Sequence, residues 1–288
     1  MLTSLAIRAG LALFQSLPER RALQLGRGLG LFWFHAVRYR RQHVLTAMRD
    51  ALAGQRSETE IRSLARANFA HYGQVLAEVT RLPLLSNGAL AERVEFTRRD
   101  RFEAARRRGH GVIVITGHYG NWDLLAAAQA ELGLGVHVVT RHLHSAAADR
   151  EWQRLRRARG IRFLDDYGSI REIVRLLRAG GAVALVLDQH VGGRRGVPVR
   201  FFGRTAWTAR AAATLALRTG CAVLPVFNYR DADGVHRMSF GEEIPLAEGR
   251  DDDATIRATT QRYNDVLENF IRAHPEQWLW AHRRWKTN

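Results

Sequence analysis

Three short polar clusters in this chain each follow directly on a run of aliphatic residues. Val112-Ile113-Val114-Ile115-Thr116 leads into Gly117-His118-Tyr119-Gly120-Asn121-Trp122-Asp123, Val136-His137-Val138-Val139-Thr140 leads into Arg141-His142, and residues 182–187 lead into Asp188-Gln189-His190. In open parallel sheets ligands bind beyond the carboxyl ends of the strands, so these clusters are candidates to share one site. The first pairs a histidine with a carboxylate. On a regular helix His118 and Asp123, five positions apart, would diverge by roughly 140°. With His118 in a turn and a helix starting near Asn121, the chain folds back. Asp123 then accepts a hydrogen bond from one imidazole nitrogen and leaves the other facing a cleft. Gly117 and Gly120 give the backbone the freedom that such a turn needs. A carboxylate-oriented histidine is a general base for a hydroxyl or amine proton. The same spacing also fits a plain strand-to-helix turn, in which Asp123 complements the helix dipole and His118 is a surface residue.

The elements that must position these residues alternate. Short β-branched runs at 112–116, 136–140, 182–187 and 222–227 are separated by helical stretches. This pattern predicts an α/β fold with a mostly parallel central sheet flanked by helices on both faces. Ahead of the sheet, Ser57 and Glu60 form a capping box that opens a helix with apolar residues at helical spacing up to Val79, closed by Pro83. A last helix over 255–273 is stopped by Pro275 and leads into the tail Gln277-Trp278-Leu279-Trp280-Ala281-His282-Arg283-Arg284-Trp285-Lys286. A length of 288 residues suits one large α/β domain with a small helical appendage.

That appendage is the N-terminus. Residues 2–17 carry Arg8 and residues 23–37 carry Arg27 as their only Arg, Lys, Asp or Glu, with Pro18-Glu19-Arg20-Arg21 between them. At about 1.5 Å per residue each segment spans roughly 22 to 24 Å, short of the roughly 30 Å hydrocarbon core. The charges after Leu17 do not resemble a signal-peptide cleavage site. The segment reads as a membrane-associated helical hairpin lying in one leaflet, with Phe32, Trp33 and Phe34 at the interface and Arg38, Tyr39, Arg40 and Arg41 among the headgroups. Two buried core helices are the alternative. The expected division is 1–40 for this segment and 41–288 for the catalytic domain.

The charge balance narrows the partners. Lys and Arg number 44 against 28 Asp and Glu, a net charge of +16, and Lys286 is the only lysine. Arginine presents a planar fork of donors matched to phosphate and carboxylate, so acidic partners are expected: nucleic acid, anionic lipid or an acidic carrier protein. Nucleic acid is disfavoured, because no groove-reading module is present and an apolar N-terminus would have no purpose there. A hydrolase using the same histidine would need a serine in a G-x-S-x-G turn, which the sequence lacks. The one cysteine, Cys221, lies in the strand-like string CAVLPVF and cannot form an internal disulfide. Neither a Gly-rich phosphate loop nor histidine ligand spacing is present, so no cofactor and no metal is expected.

His118 with Asp123 matches the H-x4-D signature of the glycerolipid acyltransferase superfamily, and the string GHYGNWDLL resembles its branch of lipid A biosynthesis acyltransferases, the lauroyl and myristoyl transferases. Further matches follow in order. RLRRARG, with Arg156 four residues before Gly160, fits the pattern; VLDQHVG resembles that branch's DQxxG segment, VPVRFFGR its FFG loop, and PEQWLWAHRRWK its C-terminal signature. The likeness runs from about residue 38 to the end.

The resemblance implies transfer of a fatty acyl chain from an acyl carrier protein thioester to a hydroxyl of a glycolipid, a lipid A precursor, at the cytoplasmic face of the inner membrane. In that reading His118 is the general base and Asp123 holds its tautomer, with Asp188 as the rival carboxylate, since superfamily members differ in this partner. Arg141, Arg156 or backbone N–H groups near Asn121 would face the oxyanion. Arg141, Arg156, Arg157 and Arg204 would meet the carrier protein or the acidic acceptor. Trp122, Phe201 and Phe202, with Gly203 in the FFG loop, would line an acyl channel, and Gln189 would touch substrate. Arg283 and Arg284 would bind a headgroup phosphate or pin the C-terminus. Two departures stand out: Thr46-Ala47 lies where the family usually carries an asparagine, and Phe201-Phe202-Gly203-Arg204 replaces the PEGT-like segment of glycerophosphate acyltransferases. The second favours the glycolipid branch, which also contains enzymes acting on mannosylated phosphatidylinositol.

Overall fold

Five successive residues with aliphatic or β-branched side chains make β2 (Val112–Thr116), and all five are buried. A strand covered on both faces cannot alternate polar with apolar, so an uninterrupted run is what a central strand requires. The computed structural model describes residues 2–286 apart from Asn87, Tyr167 and Asp251. Before β2 come α1 (Leu2–Ser16), α2 (Glu19–Phe32) continued by a π-helical turn (Trp33–Val37), α3 (Arg41–Ala51), α4 (Glu58–Arg81), α5 (Ala89–Arg93), β1 (Val94–Thr97) and α6 (Arg99–Arg107). After it come α7 (Trp122–Glu131), β3 (Val136–Thr140), α8 (Ala146–Arg157), β4 (Arg162–Asp165), α9 (Ile170–Arg178) and β5 (Ala182–Val186). The hairpin β6 (Gly196–Phe201) and β7 (Arg204–Ala209), then α10 (Ala211–Thr219), β8 (Ala222–Arg230), β9 (His236–Phe240) and α11 (Asp253–Ala273) follow, with 3-10 turns at Leu82–Leu84, Gly193–Arg195 and Pro275–Gln277.

The main sheet runs β1-β9-β8-β2-β5-β3-β4. Its neighbours are parallel except for β8 with β9. The mostly parallel sheet flanked by helices is therefore observed. Side-chain period two sorts β2 cleanly. Ile113 and Ile115 join Val183, Val223, Leu177, Leu215 and Leu267 on one face, under α9, α10 and α11. Val112 and Val114 join Ala184, Leu224, Phe102, Leu124 and Leu155 on the other, under α6, α7 and α8.

The FFG string is a hairpin turn rather than part of a channel. Phe202 and Gly203 both have positive φ, 51° and 70°, between β6 and β7, the two-residue geometry that matches strand twist. Phe202 holds this conformation because its ring packs among Trp278, Trp280 and Trp285 and under the Arg272 guanidinium.

The N-terminal segments are helical, as expected. Among the described residues no helix is long and apolar enough to cross a membrane. Gly26, Gly30 and Gly73 let α2 lie almost backbone to backbone on α4: a Cβ on Gly30 would stand 2.0 Å from the Phe69 carbonyl oxygen. Phe32 and Trp33 are exposed. Phe34 corrects the expectation for the interface, since it is buried and packs edge-on against Phe69. Arg40 is likewise tied down, its Nη1 donating to the Ala281 carbonyl at 2.6 Å.

Candidate active site

The three polar clusters do converge at the carboxyl edge of the sheet. β2 ends at Thr116, Asn121 caps α7 by accepting from the Leu124 N–H at 3.0 Å, and His118 lies in the turn between them. Gly120 has φ +58°, and a Cβ there would sit 2.1 Å from Asn228 Oδ1, so glycine is required on two counts. The turn is clamped from outside. The Gly120 N–H donates to the Gln277 carbonyl and the Leu279 N–H to the His118 carbonyl, both at 2.9 Å. The Tyr72 hydroxyl stands within 3.1 Å of the His118 carbonyl and 3.0 Å of the Gln277 carbonyl.

His118 Nδ1 is 2.8 Å from Asp188 Oδ1, and the His118 backbone N–H donates to Oδ2 of the same carboxylate at 2.6 Å. Register explains the meeting. Thr116 of β2 pairs with Val186 of β5, and His118 and Asp188 each lie two residues beyond that pair. The Trp278 indole N–H adds a third donor to the carboxylate at 2.8 Å. Burial alone would raise the Asp188 pKa, yet these donors and the facing imidazole bring it down to about 2. Burial opposes a charged imidazole in the same way, but the Asp188 carboxylate outweighs it and His118 is raised above the ordinary histidine value. With Nδ1 committed to Asp188, Nε2 is left for the cleft, where the side chain remains 21% exposed. The ring stands edge-on to Trp122 at 4.9 Å, and the Gln189 amide nitrogen lies 3.4 Å from Nε2.

Asp123 does not hydrogen-bond to His118, which corrects that expectation. It sits in the first turn of α7 facing α8, with Oδ2 accepting from the Trp152 indole at 3.0 Å and Oδ1 2.8 Å from Arg156 Nε. Arg156 also donates to Thr140 Oγ1 and lies against the rings of Trp152 and Phe163. This buried ion pair fastens α8 to the start of α7, next to the His118 turn. Burial raises the Asp123 pKa and lowers that of Arg156.

Other expected residues are scattered. Phe201 and Phe202 are buried in the aromatic cluster under the C-terminal segment and do not line the cleft. Arg204 pairs with Asp50 at 2.8 Å and covers Trp285. Arg284 is 0% exposed, with its guanidinium on the Gln189 and Trp207 carbonyls, Thr208 and Asn264, and burial pushes its pKa down to about 10. It pins the C-terminus and cannot reach a headgroup, whereas Arg283 and Arg157 are exposed. Asn121 is fully buried, and its N–H, expected near the oxyanion, is consumed by Asn228 Oδ1 at 2.7 Å. Its side chain donates to Glu78, a largely but not fully buried carboxylate on α4 that also holds Arg230 and His236. Burial alone would raise the Glu78 pKa; His236 and Arg230 hold it well below the usual carboxylate range.

The cleft in front of His118 has a volume of about 1160 Å³. Trp122, Leu125, Ala126 and Gln129, at helical spacing on one face of α7, form one wall opposite Val114, Val138, Ala184 and Val226 of the sheet. Arg141, Arg194, Arg195, Arg210, Arg218 and Lys286 also line it. Arg141 and Arg195 share Asp166. Among the described residues, the lining contains no serine or cysteine. The buried Cys221 has its thiol pKa pushed up by burial.

Sequence reasoning missed Trp278, Tyr72 and Glu78. A signal was present for the last two: with Asn68 and His71 they interrupt the apolar stripe of α4 with polar groups, on the face turned toward the His118 turn and the C-terminal segment clamped to it.

A basic-rimmed apolar cleft of this size, meeting a carboxylate-held histidine beyond the carboxyl ends of a mostly parallel sheet, has the form of an α/β enzyme site with room for a long apolar substrate. The match to known sequences makes the class specific. The family model described as "Bacterial lipid A biosynthesis acyltransferase" matches residues 1–287, and the chain belongs to that family of acyltransferases. Among its relatives, a phosphatidylinositol mannoside acyltransferase of Mycolicibacterium smegmatis is 25% identical, over 98% of this chain and 91% of the relative. The lipid A biosynthesis lauroyltransferase of Escherichia coli is 26% identical, over 94% of this chain and 87% of the relative. The lipid A biosynthesis myristoyltransferase of the same organism is 26% identical, over 81% and 71%.

Proposed function

We propose that this acyltransferase moves a fatty acyl chain from an acyl carrier protein thioester to a hydroxyl of a lipid A precursor, with His118 as general base. The observation that carries this reading is the His118–Asp188 pair at the head of the apolar cleft. His118 Nε2 takes the proton of the acceptor hydroxyl as its oxygen attacks the thioester carbonyl. Asp188 stabilises the imidazolium that forms, and the Gln189 amide, beside Nε2, donates to the developing oxyanion. Collapse of the tetrahedral intermediate expels the thiolate, which takes the proton back from His118. No acyl-enzyme is required, because the thioester is already activated. The arginine-rich lining suits both an acidic carrier protein and a phosphorylated acceptor.

A second acceptor, mannosylated phosphatidylinositol, is favoured by the relative that matches along nearly the whole chain. Incubation with labelled acyl-carrier-protein thioester and each acceptor in turn decides between them. Product on the Kdo-bearing tetra-acylated precursor supports the first reading; product confined to the mannolipid replaces it.

Under the same proposal residues 1–40 seat the enzyme on the cytoplasmic face of the inner membrane. Exposed Leu29, Phe32, Trp33 and Val37 form the apolar contact, and exposed Arg20, Arg21, Arg27 and Arg38 flank it. Immersing an aromatic side chain is worth about 1.5 to 3 kcal/mol. Phe32→Glu with Trp33→Glu is therefore expected to weaken partitioning onto anionic vesicles by about 100-fold or more. Unchanged co-sedimentation would remove this face from the membrane.

A further inference from the structure

We propose that Trp278 is a positioning residue for the base: its indole N–H holds the Asp188 carboxylate in the orientation that fixes His118. The inference rests on the reading of His118 as base. Asp188 is 2% exposed and receives three donors, the His118 ring on Oδ1 and the His118 backbone N–H and Trp278 indole on Oδ2. A carboxylate held on both oxygens cannot rotate away from the ring. Trp278 is itself fixed, by a β-bridge to Tyr119, by its carbonyl accepting from Asn68 Nδ2 at 2.7 Å, and by packing against Phe201 and Trp280. The C-terminal string thus reaches the reaction centre through the carboxylate rather than through substrate.

Trp280 supplies an internal comparison. It is equally buried in the same aromatic cluster, but its indole N–H donates to the Pro275 carbonyl. Removing the Trp278 donor leaves more of the carboxylate's charge for the imidazole, so the imidazolium is stabilised and loses its proton at higher pH. It also removes one of the two donors on Oδ2, leaving the His118 backbone N–H alone to hold that oxygen, so the carboxylate is less firmly oriented and the ring less often aligned. The other titratable groups around the pair, Asp123, Arg156, Tyr72, His282 and Arg284, are untouched by the substitution.

The test uses the full chain in detergent micelles, with the His118 imidazole titrated by NMR in the wild type, Trp278→Phe and Trp280→Phe. Trp278→Phe is expected to raise the His118 midpoint by about half a unit. It is also expected to lower kcat about 10-fold, the loss of one hydrogen bond to a charged group, with KM for donor and acceptor within about twofold. Trp280→Phe is expected to move neither the midpoint nor kcat. A midpoint unchanged in Trp278→Phe, or shifted equally in Trp280→Phe, overturns the proposal. Should Trp278→Phe fail to fold, the wild-type Trp278 indole N–H resonance decides: it must shift with the same midpoint as His118, and indifference to that titration overturns the assignment. The two titrations need no substrate. If imidazole and indole titrate together while the wild type transfers no acyl group, the functional reading fails, and only the hold of Trp278 on the Asp188–His118 pair stands.

Discussion

Replacing His118 with alanine is expected to lower acyl transfer by about 10³-fold, in the middle of the range for loss of a positioned general base. The ring lines the cleft and meets Trp122 edge-on, so its removal leaves the core of the sheet intact. The protein should stay folded, with a melting temperature lowered only as far as buried Asp188, still held by the Trp278 indole and the residue-118 backbone N–H, loses its imidazole partner, and single-turnover transfer from a labelled thioester measures the rate. The pH dependence follows from the same pair. A base must be deprotonated to act, and Asp188 raises the His118 pKa above its usual value despite burial. The acid limb of kcat/KM is accordingly expected above pH 6.5, with activity falling as pH drops through the raised pKa and the imidazole becomes protonated. A limb in the ordinary carboxylate range would assign the base to another group.

Asp188→Asn is expected to cost about 10² to 10⁴-fold in kcat while Asp123→Asn costs mainly stability. An amide at 188 presents an N–H to the ring, which favours the tautomer with its proton on Nε2, where the base must be free. An amide at 123 instead leaves Arg156, 3% exposed, without its countercharge. Breaking a buried pair from one side costs about 3 to 5 kcal/mol, so the Asp123→Asn melting temperature should fall clearly. Rates and melting curves of the two variants, taken side by side, check the assignment. If Asp123→Asn loses kcat at full stability and Asp188→Asn does not, the roles of the two carboxylates are reversed.

That contrast also marks how far the residues alone could be read. His118 was legible because a polar cluster followed a buried run; β2, β5 and the first two-thirds of β8 were legible because strands covered on both faces are continuously apolar, and β3 from its three valines although most of it is only half-buried. β1, β4 and β9 were not. β1 and β4 are four-residue edge strands interrupted by exposed residues, and β9, beside the β1 edge, alternates buried with half-buried side chains in the polar string His236-Arg237-Met238-Ser239-Phe240. The partner of the histidine depends on which strand lies beside β2, and local spacing carries no information on strand order. Asp123 is near in sequence, but its helix turns it toward Trp152 and Arg156; Asp188 is 70 residues away and arrives by the β2–β5 register. The C-terminal string was conspicuous, but its arginines fitted a headgroup phosphate and a pinned C-terminus equally well. Arg284 proved to be a buried strut on the Trp207 carbonyl, and the group that reaches the site is the Trp278 indole.

The central claim is that His118, held by Asp188, activates a lipid hydroxyl against an acyl thioester. Its most direct test is the yield of labelled O-acyl product from acyl carrier protein thioester, for the wild type and His118→Ala, with the lipid A precursor and the phosphatidylinositol mannoside offered separately. The account predicts ester product on one of the two acceptors with the wild type, and at least about 100-fold less with the variant. A folded His118→Ala protein that keeps pace with the wild type would contradict it.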